Sequence, residues 1–315
     1  MSHSMVYNIL SLGVPFSVAL LLASLGEMFN QRAGVFNLGC EGIMCMGAFL
    51  GFLPPYLLKT GPLAPYAALF GFAIAMAAGI LLGLLFALVT VTFRAEQGIA
   101  GIGLQMFGWG VAGTLFRHFI GGVTGVPGVP AWAIPGLSRI PFLGGILFNH
   151  NPVVYLAFLM VPASWYILFK TPWGLKVRAA GTEPRAADSM GISVNRVRYQ
   201  ALMVGGALAG LGGAYLSLCQ AKMFADDLVA GRGFIAVALV YFGRWSPLGI
   251  LGGALLFSLA QSLQLAIQVA GIKFPYEFAV MLPYVLVILV LSLARKARMR
   301  GPSHLGIPYN REMRT

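Results

Sequence analysis

Most of this chain consists of apolar runs of about 20 residues, separated by short polar segments. A run of that length crosses the ~30 Å hydrocarbon core of a bilayer as a helix. The chain is 58% hydrophobic and 10% charged, whereas soluble domains have about 25% charged residues. The runs are continuous rather than alternating, which excludes a transmembrane β-barrel. Because no polar block can hold a separate core, the sequence predicts one all-α, polytopic membrane domain over residues 1–315.

The apolar runs predict eight or nine membrane-spanning helices. Their approximate limits are 5–25, 38–55, 63–93, 98–116, 152–169, 199–219, 234–242, 247–270 and 275–294. Residues 120–150 are rich in proline and glycine, so we expect an irregular or re-entrant segment there. The apolar part of 232–245 is too short to cross a bilayer alone, so we expect a broken helix.

The longest polar passage, residues 171–191, lies between two predicted spans and contains a helix signal. Thr182 can cap a helix, Pro184 is tolerated in its first turn, and Gly191 can end it. The loop 170–198 carries six basic and two acidic residues, and basic loops stay on the cytoplasmic side. A short helix on that face suggests a surface that docks a soluble partner.

Basic residues also predict the orientation of the whole chain. With the 170–198 loop and the basic tail 295–315 inside, counting spans backwards places the amino terminus outside. About fifteen of the 21 basic residues then fall on the cytoplasmic side. This count treats 232–243 as a span. If that segment is re-entrant, the number of crossings changes by one and the predicted side of the amino terminus is reversed. The amino terminus lacks the basic region of a cleavable signal peptide, so its first apolar run is predicted to be a retained span.

The residues argue against several function classes. The net charge of +12 is spread where membrane orientation needs it, so we expect no nucleic-acid partner. No P-loop, HExxH, GxSxG or paired-cysteine motif is present. The three cysteines lie in apolar runs and are predicted to be small buried hydrophobes. We therefore expect no catalytic residue, metal site or cofactor in this chain, and if ATP drives it, another chain must hydrolyse the ATP.

Glu41 is the notable carboxylate, because it lies in GVFNLGCEGIMCMGAF at the start of the second span. An intramembrane carboxylate is costly and often functional, so a gating role is one interpretation. The other is an acid at a helix start, satisfied by backbone donors or by Asn37. We expect the translocation path to be lined or gated by Asn37, Glu41, Gln105, Phe107 and Phe234.

The charged residues predicted near the outer face are Asp226, Asp227 and Arg232. They can contact an extracytoplasmic protein or belong to an ordinary solvated loop. At the inner face, Trp245 is assigned to the aromatic belt of the membrane interface. Besides Glu41, only Glu277 is expected to place a charge inside a span.

The chain resembles the bacterial ABC-importer permeases of the ribose and branched-chain amino acid superfamily in three segments: GVFNLGCEGIMCMGAF, LKVRAAGTEPRAADSMGISVNRVR with the following ALMVGGALAGLGGAYLSL, and GRGFIAVALVYFGRWSPLG. These segments occur in the expected order, and the resemblance covers nearly the whole chain. The third is similar to the subgroup that imports nucleosides. The chain looks like the shorter of the two permeases that such systems often encode. Cys40 departs from the pattern, since a small aliphatic residue is more usual there.

The resemblance implies two permease subunits around a central path, in the inner membrane, with the carboxyl terminus in the cytoplasm. A separate ATPase, holding ATP and Mg²⁺, would dock on the loop, and an extracytoplasmic binding protein would deliver the cargo. Movement of the helix near 183–190 would tilt the flanking spans. The implied ATPase-coupling residues are Gly181, Thr182, Glu183, Arg185, Ala186, Ala187 and Gly191.

Three alternatives stay open at this point. The same fold could import a simple sugar or a branched-chain amino acid instead of a nucleoside. A secondary transporter or channel would need no ATPase, but its usual signature is a charged relay within spans. An integral membrane enzyme would need a polar catalytic cluster, which the sequence does not supply.

Overall fold

A computed structural model describes residues 2–122, 124–136, 138, 140, 143–269, 278, 281, 284, 285, 288, 289 and 301–310, with the backbone alone for residues 2–5 and 143. Most of the predicted last span, 275–294, lies outside these residues, although each of its described positions is helical. Glu277 and the basic residues of 295–300 and 311–315 also lie outside them.

The described residues form eleven α-helices and two short strands. The helices are α1 (Ser2–Arg32), α2 (Cys40–Leu57), α3 (Ala67–Ala87), α4 (Gln97–Phe119), α5 (Leu143–Leu147), α6 (Pro152–Lys170), α7 (Pro172–Thr182), α8 (Pro184–Ser189), α9 (Val194–Tyr215), α10 (Arg232–Phe242) and α11 (Pro247–Val269). A 3₁₀ turn, Ala64–Tyr66, precedes α3, and π-helical turns extend α3 through Leu88–Thr92 and α9 through Leu216–Gln220. Seven of these helices are long and apolar enough to span a membrane, which confirms the all-α polytopic prediction.

The bundle is built around α9, which packs against α1, α2 and α3. The backbones of α3 and α9 touch: a Cβ added to Gly79 would collide with the carbonyl of Gly206, and the reverse also holds. Small residues allow such close approach, and in lipid this close packing helps hold helices together. The glycines of α3 therefore allow its close packing on α9.

The first helix is longer than predicted. The polar sequence GEMFNQR was expected to break the first span after residue 25, but α1 continues through it to Arg32. Gly26 does not interrupt the helix, because it packs against the backbone of Gly205 in α9. The helix stops where Gly34 adopts a left-handed conformation with φ 86°. The polar residues of this last part of α1 therefore lie inside the bundle.

The segment between α4 and α6 is irregular, as predicted. Two strands that were not predicted, β1 (Trp132–Ala133) and β2 (Asn149–His150), pair antiparallel within it. The segment is tied to the end of α9, because the N–H of Val126 donates to the carbonyl of Lys222 at 2.9 Å. These hydrogen bonds satisfy backbone groups that a helix would otherwise pair internally.

The predicted broken helix is α10, whose 11 residues are about 16 Å long, half of a bilayer core. Left-handed residues stand at both of its ends, Gly231 at the start and Trp245 after it. The segment before α10 reaches the end of α4, where Asp226 pairs with Arg117. The segment after α10 reaches the end of α1 at Arg32. Because these two places are at opposite ends of the bundle, residues 221–245 run from one end of it to the other.

Candidate functional site

The polar loop contains two helices rather than one. Thr182 was predicted to cap the second, but it is the last residue of α7, and its hydroxyl donates to the carbonyl of Arg178 at 2.9 Å. Glu183 occupies the cap position of α8 and makes no side-chain capping bond. Pro184 is the first residue of α8, and Gly191 ends the segment with φ 80°, as predicted. The Thr182 prediction failed because α7 had not been foreseen.

Only part of the predicted coupling set faces outward. Gly181 and Ala187 are buried, as is the neighbouring Pro184, so they face the bundle and not a partner. The exposed members are Thr182, Glu183, Arg185, Ala186 and Gly191. Next to them Met190 is 82% exposed, which is unusual for a large apolar side chain. Another protein could therefore reach one face of α8 directly.

The turn between α7 and α8 sits against the end of α1. A Cβ added to Gly181 would collide with the carbonyl oxygen of Arg32 and would lie 2.8 Å from the nitrogen of Gly34. The backbone of the α7–α8 turn is therefore in contact with the α1–α2 junction, and only glycine fits between them.

A second segment covers the same turn. The N–H of His304 donates to the carbonyl of Gly181 at 3.0 Å, and the N–H of Gly306 donates to the carbonyl of Gly34 at 3.2 Å. The carbonyl of Thr182 accepts from the Ser303 hydroxyl and lies 2.8 Å from Nδ1 of His304. Residues 301–310 and the α7–α8 turn therefore lie at the same end of the bundle.

Arg198 was predicted as one of the basic residues of the loop, but its side chain is only 1% exposed. Its Nε donates to the carbonyl of Ala33 at 3.2 Å, and Nη1 donates to the carbonyl of Ile307 at 3.1 Å. The sequence did contain a signal, since Arg198 is spaced i+4 and i−3 from the buried apolar Val194 and Ala201 on α9.

Glu27 is a buried carboxylate that sequence reasoning missed. Its Oε2 accepts from Asn30 Nδ2 at 2.8 Å, and its Oε1 accepts from Gln31 Nε2 at 3.2 Å and from the N–H of Asn37 at 3.0 Å. Charge inside the spans is thus not confined to Glu41 among the described residues. The i, i+3, i+4 spacing of Glu27, Asn30 and Gln31 was the available signal, because it places all three on one helix face.

Trp245 does not belong to an aromatic belt. It is 3% exposed, and its indole N–H donates to Oε1 of Gln31 at 2.8 Å. Its carbonyl accepts two bonds from the Arg32 guanidinium, at 3.1 and 2.8 Å. The far end of α10 is therefore fixed to the end of α1 and, through Gln31, to Glu27.

Glu41 fixes the other end of α10. Its Oε1 accepts from the N–H of Gly231 at 2.8 Å, and its Oε2 accepts from the N–H of Gly233 at 2.5 Å. Backbone donors thus satisfy this carboxylate, but they belong to α10 rather than to its own helix or to Asn37, and the gating role stays a prediction. A carboxylate at a helix amino terminus also complements the helix dipole.

The predicted path residues are partly brought together. A Cβ on Gly42, beside Glu41, would lie 2.6 Å from Cα of Gln105, so α4 packs on the start of α2. Asn37 Oδ1 accepts from the N–H of Gly39 at 2.9 Å in the approach to α2. Phe234, 38% exposed, follows the Glu41 contact on α10. Phe107 instead lies on the open face of α4, in a groove of about 450 Å³ lined by Met106, Phe107, Gly110, Val111, Thr114 and Leu115.

The charged residues predicted near the outer face have different hydrogen-bonding partners, although the charge of Asp227 lies close enough to act on Arg232. Asp226 pairs with Nη1 of Arg117 at 2.7 Å on the exposed end of α4. Arg232 turns back and donates to the carbonyls of Leu228 and Val229 at 3.0 and 3.1 Å. Asp227 is exposed. Exposed ion pairs stabilise proteins little, so Arg117–Asp226 marks a surface more than it supports the fold.

Comparison with known proteins agrees with this geometry. Residues 6–291 match the family described as "Branched-chain amino acid transport system / permease component". The guanosine ABC transporter permease protein NupQ of Bacillus subtilis (strain 168) is 38% identical over 96% of this chain and 98% of its own length. The nucleoside ABC transporter permease protein NupC of Lactococcus lactis subsp. cremoris (strain MG1363) is 36% identical over 88% of this chain and 89% of its own.

A third relative carries a different cargo in its name. The putative glucose ABC transporter permease protein TsgC13 of Haloferax volcanii is 36% identical over 98% of this chain and 99% of its own length. No solved structure matches the chain. The family match covers most of the sequence, and the three relatives align over 88% or more of the chain. The chain therefore belongs to the family of branched-chain amino acid transport system permease components.

Proposed function

We propose that this chain is a membrane-spanning subunit of an ATP-binding-cassette importer that carries nucleosides across the cell's inner membrane. The observation that carries the cargo assignment is the near-complete alignment with permeases named for guanosine and for nucleosides. Seven membrane-length helices and a permease family match support the transport role. The chain itself would need no cofactor, because ATP and Mg²⁺ would be bound by the ATPase subunit.

The partners follow from the same assignment. A cytoplasmic ATPase would bind the exposed face of α8, including Glu183, Arg185 and Ala186. A second, different permease would complete the path, and an extracytoplasmic binding protein would contact the opposite end near Asp226 and Asp227. The carboxyl terminus would be cytoplasmic, since residues 301–310 contact the same turn as α8.

The mechanism would be a displacement of α8 passed to the membrane helices. Because Gly181 leaves no space between the α7–α8 turn and the end of α1, a push on α8 moves α1. α9 begins three residues after Gly191 and would move with it. The ATPase must bind the inward-open and outward-open states with different affinity, since otherwise it could not shift their populations.

The substrate would pass along the region where α2, α4 and α10 meet. Helices interrupted near mid-membrane often form transporter binding sites, because their ends expose backbone groups to a cavity. In this chain Glu41 occupies the amino terminus of α10, so that terminus is filled rather than open to an anion. An uncharged cargo such as a nucleoside is consistent with that arrangement.

A sugar is the second candidate cargo, because the putative glucose permease relative aligns as fully as the nucleoside relatives do. Uptake of labelled guanosine by cells that express the complete transporter separates the two. An excess of unlabelled adenosine or guanosine should abolish uptake, whereas glucose, ribose and leucine should not. Inhibition by glucose but not by nucleosides would assign the sugar instead. Failure of any ATPase to purify with the detergent-solubilised chain would favour a secondary transporter.

A further inference from the structure

The segment Gly301–Asn310, called here the tail segment, is packed against the protein although it follows the predicted last span. Pro302 is buried, and Leu305 and Tyr309 pack on the hydrophobic core. A Cβ on Gly301 would meet the ring of Trp245 at 2.6 Å, so the segment begins against the end of α10. A basic tail that only oriented the chain would not need these contacts.

The tail segment holds the α7–α8 turn by its backbone. His304 N–H donates to the carbonyl of Gly181, and both Ser303 and the His304 ring reach the carbonyl of Thr182. These two carbonyls are at the end of α7, where a helix has no internal donors left for them. The tail segment therefore supplies the partners that the α7 terminus lacks.

The same ten residues also hold α1 and α9. Gly306 N–H donates to the carbonyl of Gly34 just after α1. The Arg198 guanidinium of α9 donates to Ile307 on the tail segment and to Ala33 beside α1. Because Arg198 is buried, loss of the Ile307 carbonyl would leave part of a buried cation without an acceptor, which is costly. Three elements distant in sequence therefore meet on the tail segment.

The outward face of α8 stays accessible beside the tail segment. A cavity of about 370 Å³ separates them, lined by Glu183, Pro184, Arg185, His304, Ile307, Pro308, Tyr309 and Asn310. The tail segment thus binds the end of α7 and leaves exposed the face of α8 that a partner would contact.

We propose that the tail segment is a positioning element that ties the α7–α8 turn to α1 and α9, so that movement of α8 reaches the membrane helices instead of being absorbed by the loop. This rests on the proposed function only in that α8 is the part moved by the ATPase. The tie itself is a property of this chain alone and can be measured without any cargo or partner.

Two truncations test the tie. One ends after Arg300 and removes the tail segment; its matched control ends after Asn310 and keeps it. Backbone hydrogen–deuterium exchange is measured on each purified chain in detergent. Exchange in residues 183–192 should rise about tenfold or more without the tail segment, as expected when a few hydrogen bonds are lost. It should not change in the control, and exchange in α3 should be equal in all forms.

Equal exchange of residues 183–192 in both truncations would overturn the proposal. Faster exchange in α3 as well would also overturn it, because the tail segment would then be needed for the whole fold. Point variants provide an independent check in the full-length chain. Arg198→Lys removes the guanidinium that donates to the carbonyls of both Ile307 and Ala33, so amide exchange in α8 should become faster. Arg196→Lys, at an exposed position nearby, should leave exchange in α8 unchanged.

A transport measurement then links the tie to coupling. In membranes that hold the complete transporter, the chain without the tail segment should bind the ATPase and retain at least about half of the ATP hydrolysis, while uptake falls about tenfold. Equal losses of uptake and of ATPase binding would show that the segment is a docking element instead. If the intact chain takes up no nucleoside, the proposed cargo is wrong, while the exchange result still decides the tie.

Discussion

Replacement of Glu41 by alanine should release the amino terminus of α10. The Glu41 side chain is fully buried, and its two oxygens accept the N–H groups of Gly231 and Gly233 at 2.8 and 2.5 Å. Alanine leaves both donors without an acceptor, and each unsatisfied buried donor costs about 1–3 kcal/mol. Local opening of α10 should therefore become easier by about 2–6 kcal/mol.

Glutamine at position 41 separates the loss of charge from the loss of acceptors. The amide oxygen of Glu41→Gln can accept one of the two N–H groups, whereas the amide nitrogen can accept none. One N–H group is then left without an acceptor, so opening of α10 should become easier by about 1–3 kcal/mol.

The assay is hydrogen–deuterium exchange of the peptide that contains Gly231 and Gly233, in detergent. Since 1.4 kcal/mol corresponds to a tenfold change in an equilibrium constant, exchange should rise roughly 30-fold or more for Glu41→Ala and about fivefold or more for Glu41→Gln.

Glu96 offers a matched control, because its carboxylate also accepts two backbone N–H groups, from Ile99 at 2.5 Å and Gly98 at 2.9 Å. These two bonds, that of Ile99 first, lower the pKa of Glu96 below its ordinary value. Glu96 is exposed, so water can replace its carboxylate, and Glu96→Ala should leave exchange in α10 unchanged. Unchanged exchange in Glu41→Ala would refute the idea that Glu41 holds α10.

Three further predictions concern packing and capping. Gly181→Ala should lose most of its uptake at an unchanged membrane level, because a Cβ there meets the end of α1, whereas Gly252→Ala, at a position open to space, should transport normally. Gly79→Ala should lower the stability of the protein in detergent by about 1–3 kcal/mol, measured by thermal unfolding, because its Cβ meets the carbonyl of Gly206. Ionised Glu96 stabilises the start of α4, and its pKa is lowered in the folded protein. This stabilisation is therefore fully present above the ordinary carboxyl pKa. It is lost as the pH falls through the lower pKa of the folded protein. Amide exchange at the start of α4, compared at each pH with Glu96→Gln, should show this loss, and identical pH profiles would contradict it.

The architecture could be predicted because hydrophobic length and local breakers determine it. Seven described spans, the irregular segment before α6 and the short α10 all follow from run length, proline and glycine content, and the cost of exposing backbone to lipid. The predicted end of the first span was wrong, because the polar segment after residue 25 was expected to end the helix. A polar face is compatible with a helix when other elements of the bundle supply its partners.

The site was predicted less well, because its contacts join residues far apart in the sequence. Trp245 bonds to Gln31 and Arg32, more than two hundred positions away, and Arg198 bonds to Ile307. Hydropathy assigns each of these side chains to the nearest interface or loop. Helical spacing carried a partial signal, since Arg198 lies on the apolar face of α9. No local pattern indicated that the tail segment would pack against α7.

The most direct test of the account is ATP-dependent accumulation of labelled guanosine in proteoliposomes that contain this chain with the proposed ATPase, second permease and binding protein. The account predicts accumulation that requires ATP hydrolysis and that disappears in Ala187→Trp, because Ala187 lies on the buried face of α8 and has no room for an indole ring. That variant should still insert into the membrane. Accumulation without ATP, or normal ATP-driven accumulation by Ala187→Trp, would contradict the account.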